Sequence, residues 1–191
     1  SGWAVSSAGD VDGDGKSDIL IGSRHNDDGG SDAGKTYLFF SSSLTQTSMN
    51  LSQADYSFVG ESSGDRAGKA NSSAGDVDGD GKSDILFGAY HNDDGGSGAG
   101  KAYLFLASSL GSTSSLNLSQ ADYSFVGESS DGQAGYSVSS AGDVNGDGQD
   151  DILIGAYYNN QGYRYGSAYL ILSSSLTQTS MNLSQADYSF Y

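Results

Sequence analysis

The sequence predicts an all-β fold, and three observations lead to this prediction. A segment of about 66 residues recurs along the whole chain, and apolar residues alternate with polar ones inside each copy. No segment combines helix caps with a sustained period of 3.6 residues. Glycine, asparagine, aspartate and serine separate the apolar runs, which is typical of short strands joined by tight turns.

The repeat divides the chain into three copies. The sequence Ala-Gly-Asp-Val-Asp-Gly-Asp-Gly begins at Ala8 and at Ala74, and it returns at Ala141 with one aspartate changed to asparagine. Residues 41–58 are identical to residues 173–190. The predicted units are residues 1–60, 61–127 and 128–191.

The second copy shows the predicted elements most clearly. They are a first strand (72–76), an acidic loop, a second strand (84–89), a glycine-rich loop (91–100), a third strand (101–106), a serine-rich connection and a fourth strand (121–125). A unit of four short antiparallel strands has the size of a propeller blade, which buries its faces against neighbouring blades. We therefore predict a β-propeller of four-stranded antiparallel blades, with three blades in this chain.

The blade topology predicts two functional faces. Alternate connections of an up-and-down sheet lie at opposite ends of its strands, so the acidic loops share one face with the connections between strands 3 and 4. The other face holds the loops between strands 2 and 3 and the links between blades. Those loops are residues 23–34, 89–100 and 156–166, and the links are residues 60–68 and 127–135.

Three blades are fewer than a closed propeller needs. Propellers usually have four to eight blades, and an open arc leaves two blade faces exposed to water. We therefore expect either further blades in a longer parent chain or self-association, in which two copies give six blades.

The acidic loops carry the strongest chemical signal. They place oxygen-bearing residues at positions 1, 3, 5, 7 and 9: Asp10, Asp12, Asp14, Lys16 and Asp18 in the first loop; Asp76, Asp78, Asp80, Lys82 and Asp84 in the second; and Asp143, Asn145, Asp147, Gln149 and Asp151 in the third. Position 7 offers a backbone carbonyl and the last carboxylate can bind through both oxygens, which gives the six to eight oxygen ligands that calcium prefers.

The spacing of these loops separates them from other acidic turns. The last ligand stands at position 9 and a strand follows it, so the loops are not EF-hands. Aspartate and glycine also occur in ordinary turns, but four acidic groups within nine residues repel one another without a cation. We predict three Ca²⁺ sites, one per blade, with the third weakest because Asn145 is neutral.

The motifs together resemble the FG-GAP repeats of integrin α-subunit β-propellers and of bacterial integrin-like proteins. In the third copy the matching residues are 135–138, the acidic loop, 151–156 and 168–170. The resemblance implies propeller blades with calcium ligands in the hairpins between strands 1 and 2. It also implies adhesion or recognition of a protein or glycan ligand by the face opposite the calcium loops.

Composition and charge exclude several classes of protein. The chain has no cysteine, which excludes a disulfide scaffold, a thiolate metal site and cysteine catalysis. Its 24 acidic and 8 basic residues give a net charge of −16, which disfavours nucleic acid and anionic membranes as partners. Because no apolar run could span a bilayer, we predict no membrane insertion. Acidity, absence of cysteine and calcium loops of this kind favour an extracellular or cell-surface location.

Three functions remain open at this stage. The first is a non-enzymatic adhesion or recognition module. The second is an accessory part, glycan-binding or structural, of a larger polysaccharide-acting enzyme, and the third is a purely structural spacer. No nucleophile–base pair stands out, and His25 and His91 occupy equivalent loop positions, which favours a loop role over catalysis.

Two minor features accompany these hypotheses. The loops between strands 2 and 3 are rich in histidine, asparagine and aspartate, and in the third copy tyrosine is added at residues 158–165. They are interpreted either as solvated turns or as a second cation site or glycan-binding rim. Asn50, Asn117 and Asn182 each begin an Asn-Leu-Ser sequon, a candidate glycosylation site in a secreted protein.

Overall fold

The computed structural model describes residues 1–158 and 166–191. Most of the third loop between strands 2 and 3, with most of the tyrosines interpreted above, lies outside the described residues. The strands in chain order are β1 (Ala4–Gly9), β2 (Asp18–Ser23), β3 (Lys35–Phe39), β4 (Tyr56–Val59), β5 (Ala70–Gly75), β6 (Asp84–Ala89), β7 (Lys101–Phe105), β8 (Ser115–Asn117), β9 (Tyr123–Val126), β10 (Ala134–Gly142), β11 (Asp151–Ala156), β12 (Ser167–Ile171), β13 (Ser180–Asn182) and β14 (Tyr188–Phe190). Short 3₁₀ turns occupy Ser41–Ser43, Leu51–Gln53, Ala107–Ser109, Leu118–Gln120, Ser173–Ser175 and Leu183–Gln185. None of the helical turns in these ranges has the length and apolarity needed to cross a membrane.

The strands form three sheets, one for each copy of the repeat. Each sheet contains four antiparallel strands in sequence order: β1-β2-β3-β4, β5-β6-β7-β9 and β10-β11-β12-β14. The prediction of an all-β fold built of four-stranded propeller blades is confirmed.

Two additional strands, which the sequence did not predict, run parallel to the outer strand of the preceding sheet. β8 pairs with β4, and β13 pairs with β9. The Ser57 N–H donates to the Ser114 carbonyl at 2.8 Å, and the Ser124 N–H donates to the Thr179 carbonyl at 2.9 Å. The connection between strands 3 and 4 thus reaches back across the preceding blade and covers its open edge, which would otherwise present unpaired backbone groups.

The apolar core lies between the sheets. Alternate residues of the middle sheet face opposite neighbours: Ile85 and Phe87 join the core shared with the first sheet, whereas Leu86 joins the core shared with the third. The first of these cores contains an aromatic cluster in which the ring of Phe58 lies 4.7 Å from that of Phe87 and 5.0 Å from that of Phe105.

Glycine permits the closest approach between neighbouring blades. A Cβ atom at Gly22 would collide with the Gly68 carbonyl oxygen, and one at Gly88 would collide with the Gly135 carbonyl oxygen. The second strand of one blade therefore lies against the start of the next blade with no room for a side chain.

Candidate metal centres and the opposite face

Each acidic loop is held by hydrogen bonds from its own backbone. In the first loop the carboxylate of Asp10 accepts from the N–H groups of Gly13 and Gly15, both at 2.8 Å. These glycines have φ values of +82° and +85°, a conformation that other residues rarely adopt. The alternation of aspartate and glycine therefore produces a tight turn with its carboxylates gathered inside.

The last carboxylate of each loop is buried at the start of the second strand. Asp18, Asp84 and Asp151 have no solvent exposure. Asp84 accepts from the N–H of Val77 at 2.8 Å and from the N–H of Ala107 at 2.8 Å. The carboxylate thereby joins the acidic loop to the connection between strands 3 and 4, and it places both on one face.

Burial raises the pKa of two carboxyl groups, those of Asp84 and Asp18. Desolvation raises the pKa of Asp84 to about 7 from its usual 3.8, and the negative charges of Asp78 and Asp80 add to the effect. Desolvation also raises the pKa of Asp18, against the lowering effect of its hydrogen bonds with Ser41 and Val11. A cation at these loops would compensate the cost of burying the charge.

The first two loops bring together the carboxylates at positions 1, 3 and 9. Each residue of a set offers one oxygen, and the three oxygens lie within 4.8 Å of one another; the sets are Asp10, Asp12 and Asp18, and Asp76, Asp78 and Asp84. The position-5 residues Asp14 and Asp80 lie outside these sets. Their carboxylates accept from the N–H of Lys16 at 2.9 Å and of Lys82 at 2.8 Å, respectively.

The third loop differs from the other two. Within the described ranges its acidic residues form no cluster of this kind. The amide of Asn145 donates to Asp147 at 2.8 Å, and Asp143 accepts from the N–H of Gly146 at 2.6 Å and that of Asp147 at 3.1 Å. These oxygens accept hydrogen bonds from N–H groups of the same loop, and they are not gathered as in the first two loops, so the weaker third site stays a prediction.

The second loop has the chemistry that a calcium ion requires. Asp76 Oδ1 is buried and has no hydrogen-bond partner among the described residues, although it lies in a cluster of three carboxylates. An unpartnered buried oxygen is costly, and a divalent cation would satisfy it. Hard carboxylate oxygens are the ligands that calcium prefers, so the residues present fit the ion.

The opposite face carries a row of basic and aromatic side chains. The guanidinium of Arg24 lies 3.5 Å from the ring centroid of Trp3, within the range of a cation–π contact. Arg24 and Arg66 both donate to the hydroxyl of Tyr90, at 3.3 and 3.2 Å. The Nε atoms of both arginines are buried without a partner in the part of the chain that the structure describes.

The row continues across the second and third blades. Lys69 Nζ lies 3.1 Å from the ring centroid of Tyr136, whose ring stacks on Tyr157 with centroids 4.7 Å apart. We call this set the cation–aromatic row: Trp3, Arg24, Arg66, Lys69, Tyr90, Tyr136 and Tyr157. Three of the 8 basic residues of a chain with net charge −16 are thus gathered on the face away from the acidic loops.

Sequence reasoning missed this row, although the repeat contains a signal for it. Two sets of equivalent positions hold only basic or aromatic residues. They are Trp3, Lys69 and Tyr136 in one set, and Arg24, Tyr90 and Tyr157 in the other. The exchange of a cation for an aromatic ring at the same position predicts cation–π pairs between neighbouring blades.

The loops between strands 2 and 3 use their acidic residues as turn formers. Asp27 accepts from the N–H of Asp32 at 2.8 Å, and Asp93 accepts from the N–H of Gly98 at 2.7 Å. His25 Nδ1 lies 2.8 Å from the Asp32 carboxylate. These bonds favour the interpretation of the loops as turns over a second cation site.

Comparison with known proteins finds sequences similar to the repeated unit. A model of the FG-GAP repeat matches residues 1–39, 70–105 and 134–171. Integrin alpha-PS2 of Drosophila melanogaster is 30% identical over 164 residues, which cover 83% of this chain and 12% of that protein. Integrin alpha pat-2 of Caenorhabditis briggsae is 30% identical over 186 residues, which cover 91% of this chain and 14% of that protein. The chain thus spans a small part of the length of these curated relatives.

Proposed function

The chain belongs to the FG-GAP repeat family, and from this premise we propose that it is a calcium-binding, non-enzymatic module for adhesion or recognition, located outside the cell or on its surface. The observation that carries the proposal is the division of the blades into two faces. One face gathers clustered carboxylates, and the other carries the cation–aromatic row beside the turns between strands 2 and 3.

Calcium would stabilise the acidic face. The residues that would hold it are the predicted ligands at positions 1, 3, 5, 7 and 9 of each loop, led by the clusters around Asp76 and Asp10. The ion supplies positive charge where several carboxylates meet. Since Asp84 and its equivalents bond both the loop and the next connection, neutralising these charges would stabilise the whole hairpin end of the blade.

The cation–aromatic row would bind the ligand. Guanidinium and ammonium groups bind carboxylates through charge-assisted hydrogen bonds, and tyrosine rings offer flat apolar surfaces for a sugar or a side chain. The guanidinium groups of Arg24 and Arg66 meet at the Tyr90 hydroxyl, so two positive charges lie close together there. We therefore expect a ligand that carries carboxylates, either an acidic glycan or an acidic segment of a protein.

Two other functions remain as alternatives. The first is an accessory, glycan-binding or structural part of a larger polysaccharide-acting enzyme. The second is a structural spacer without a ligand. These alternatives differ in whether the chain binds a glycan and in whether it is part of an enzyme.

A binding panel tests the proposal. The immobilised chain is exposed to uronic-acid oligosaccharides and to acidic peptides, in calcium and in chelator, and each glycan is then analysed for cleavage. We expect binding without turnover, and a loss of at least about tenfold in affinity for Arg66→Gln. Lys35→Gln is the matched control, because it removes one charge outside the row from a residue paired with Asp28.

The outcomes separate the functions. Preference for the peptides favours a protein ligand, and preference for the oligosaccharides favours a glycan ligand. Glycan cleavage by the chain alone refutes the non-enzymatic role. Failure to bind either class refutes recognition and favours the spacer.

A further inference from the structure

The third blade exposes a surface that the other blades bury. Phe58, Phe125 and Phe190 occupy equivalent positions in the outer strands of the three sheets. Phe58 and Phe125 are fully buried, whereas Phe190 is 54% exposed. Val144, equivalent to the buried Val77, is 52% exposed. The face that each earlier blade turns towards its successor is uncovered on the third blade.

The first blade exposes the complementary surface. Ile19 is 37% exposed, whereas its equivalents Ile85 and Ile152 are buried against the preceding blade. Leu44 is 47% exposed, although its equivalent Leu110 packs against the core between the first and second blades. The first blade therefore carries the face that each later blade turns towards its predecessor.

The identical segments of the first and third copies show what this surface lacks. Residues 41–58 and 173–190 have the same sequence. In the third copy Ser180–Asn182 forms β13 and pairs with the outer strand of the second blade. In the first copy the same three residues, Ser48–Asn50, form no strand. Since the sequence is the same, the difference comes from the neighbouring blade, which Ser48–Asn50 does not have.

The glycine that ends the first strand of each blade, next to the acidic loop, has the same backbone conformation in all three blades. Gly9, Gly75 and Gly142 occupy equivalent positions and have φ values of +74°, +81° and +70°. Side chains of the following blade, Ser83 and Asp150, cover the first two, whereas the space beside Gly142 is open. The third blade keeps the backbone conformation that accommodates a following blade.

We propose that two copies of this chain associate head to tail, with residues 48–50 of each copy pairing as a parallel strand with β14 of the other copy. By equivalence with β13 and β9, Ser48 lies opposite Ser189 and Met49 opposite Phe190. The Ser189 N–H donates to the Thr47 carbonyl, as the Ser124 N–H does to Thr179 within the chain.

The loops extend the same interface. Within the chain the Ser83 N–H donates to the Asp10 carbonyl at 2.8 Å, and the Asp150 N–H donates to the Asp76 carbonyl at 2.9 Å. The equivalent bond between copies runs from the Ser17 N–H to the Asp143 carbonyl. The contact between copies thus repeats the backbone bonds and the apolar core of the two internal interfaces.

The number of blades favours two copies. Each copy offers one surface of each kind, so the contact is heterologous, and it forms a ring only if the rotation closes. Two copies give six blades, inside the usual range of four to eight, and three copies would give nine. The pair leaves neither apolar face exposed.

Light scattering on a sizing column tests the pairing, in saturating calcium and at the highest soluble concentration. We expect a mass of about twice 19.6 kDa for the wild type. Phe190→Asp places a charge in the new core, and Met49→Pro distorts the pairing segment. Each variant shifts the species towards 19.6 kDa, with dimerisation weakened by about 100-fold or more.

Two controls keep the outcome clear. Tyr191→Asp makes a similar charge change at the residue that follows β14, where the side chain is 76% exposed, and it keeps the dimer mass. Circular dichroism shows that Phe190→Asp, whose side chain is already 54% exposed in one copy, keeps its β-structure. A wild-type chain that stays at 19.6 kDa overturns the proposal and leaves the edges to blades of a longer parent chain, and an open-ended series of larger masses overturns it as well.

Discussion

Replacing Asp76 by asparagine removes one carboxylate from the second acidic loop and tests whether these loops bind calcium. The Oδ2 atom accepts from the Gly81 N–H at 2.9 Å, and the amide oxygen of asparagine can keep this bond. The buried and unpartnered Oδ1 atom is replaced by an amide NH₂ group, which cannot bind a cation. The loop therefore keeps its fold and loses a ligand.

The size of the effect follows from mass action. At a free calcium concentration of about 100 times the dissociation constant, one site contributes about 2.7 kcal/mol to the free energy of unfolding. For a chain of this size that corresponds to about 5–11 °C in melting temperature. In chelator the variant melts no lower than the wild type, because it also removes one charge from a cluster of repelling carboxylates.

Thermal melts by circular dichroism, in calcium and in chelator, measure the difference. Asp93→Asn is the matched control: it makes the same charge change in a loop on the opposite face, where the side chain only accepts from the Gly98 N–H at 2.7 Å. The control keeps the full calcium-dependent gain in melting temperature. The reasoning fails if Asp76→Asn keeps that gain too, or if Asp93→Asn loses as much.

Three further predictions concern the core, the buried carboxyl group and the contact between blades. Phe58→Ala removes a fully buried ring from an aromatic cluster and lowers the free energy of unfolding by about 3–5 kcal/mol in urea titration; a loss below about 1 kcal/mol would contradict the packing. In chelator, the free energy of unfolding decreases as the pH rises from about 4 to about 7. Asp84, with its pKa raised to about 7, holds a proton in this range that the unfolded chain has released. Urea titrations at several pH values measure this decrease, and Asp84→Asn makes it smaller. Gly88→Ala places a Cβ against the Gly135 carbonyl and lowers stability by about 1–3 kcal/mol, whereas Gly111→Ala, which meets no atom within 4 Å, is neutral in the same assay.

Local patterns in the sequence were sufficient to predict the blades and the acidic loops. Alternating apolar residues and glycine-rich turns act over a few residues, so the four strands of the second blade appear within two residues of their predicted bounds. The spacing of the loops likewise identified Asp76, Asp78 and Asp84, which the structure brings together. It did not predict that Asp80 would stay outside the cluster, because a backbone N–H within the loop holds its carboxylate.

The features that the sequence did not reveal depend on neighbouring blades. The cation–aromatic row joins Trp3, Arg66 and Tyr136, which lie far apart in the chain and approach one another only when the blades pack. The parallel strands are a clearer case, since Ser180–Asn182 forms a strand and the identical Ser48–Asn50 does not. Local propensity is the same in both places, and the presence of a preceding blade decides the structure.

The parallel strands make the blades depend on one another in one order along the chain. β8 belongs in sequence to the second copy but completes the edge of the first sheet, and β13 does the same for the second sheet. Opening the third blade would therefore uncover the edge of the second, whereas opening the first blade takes no strand from those that follow. Loss of structure would spread from the C-terminal end towards the N-terminal end, an asymmetry that three nearly identical copies of one sequence do not suggest.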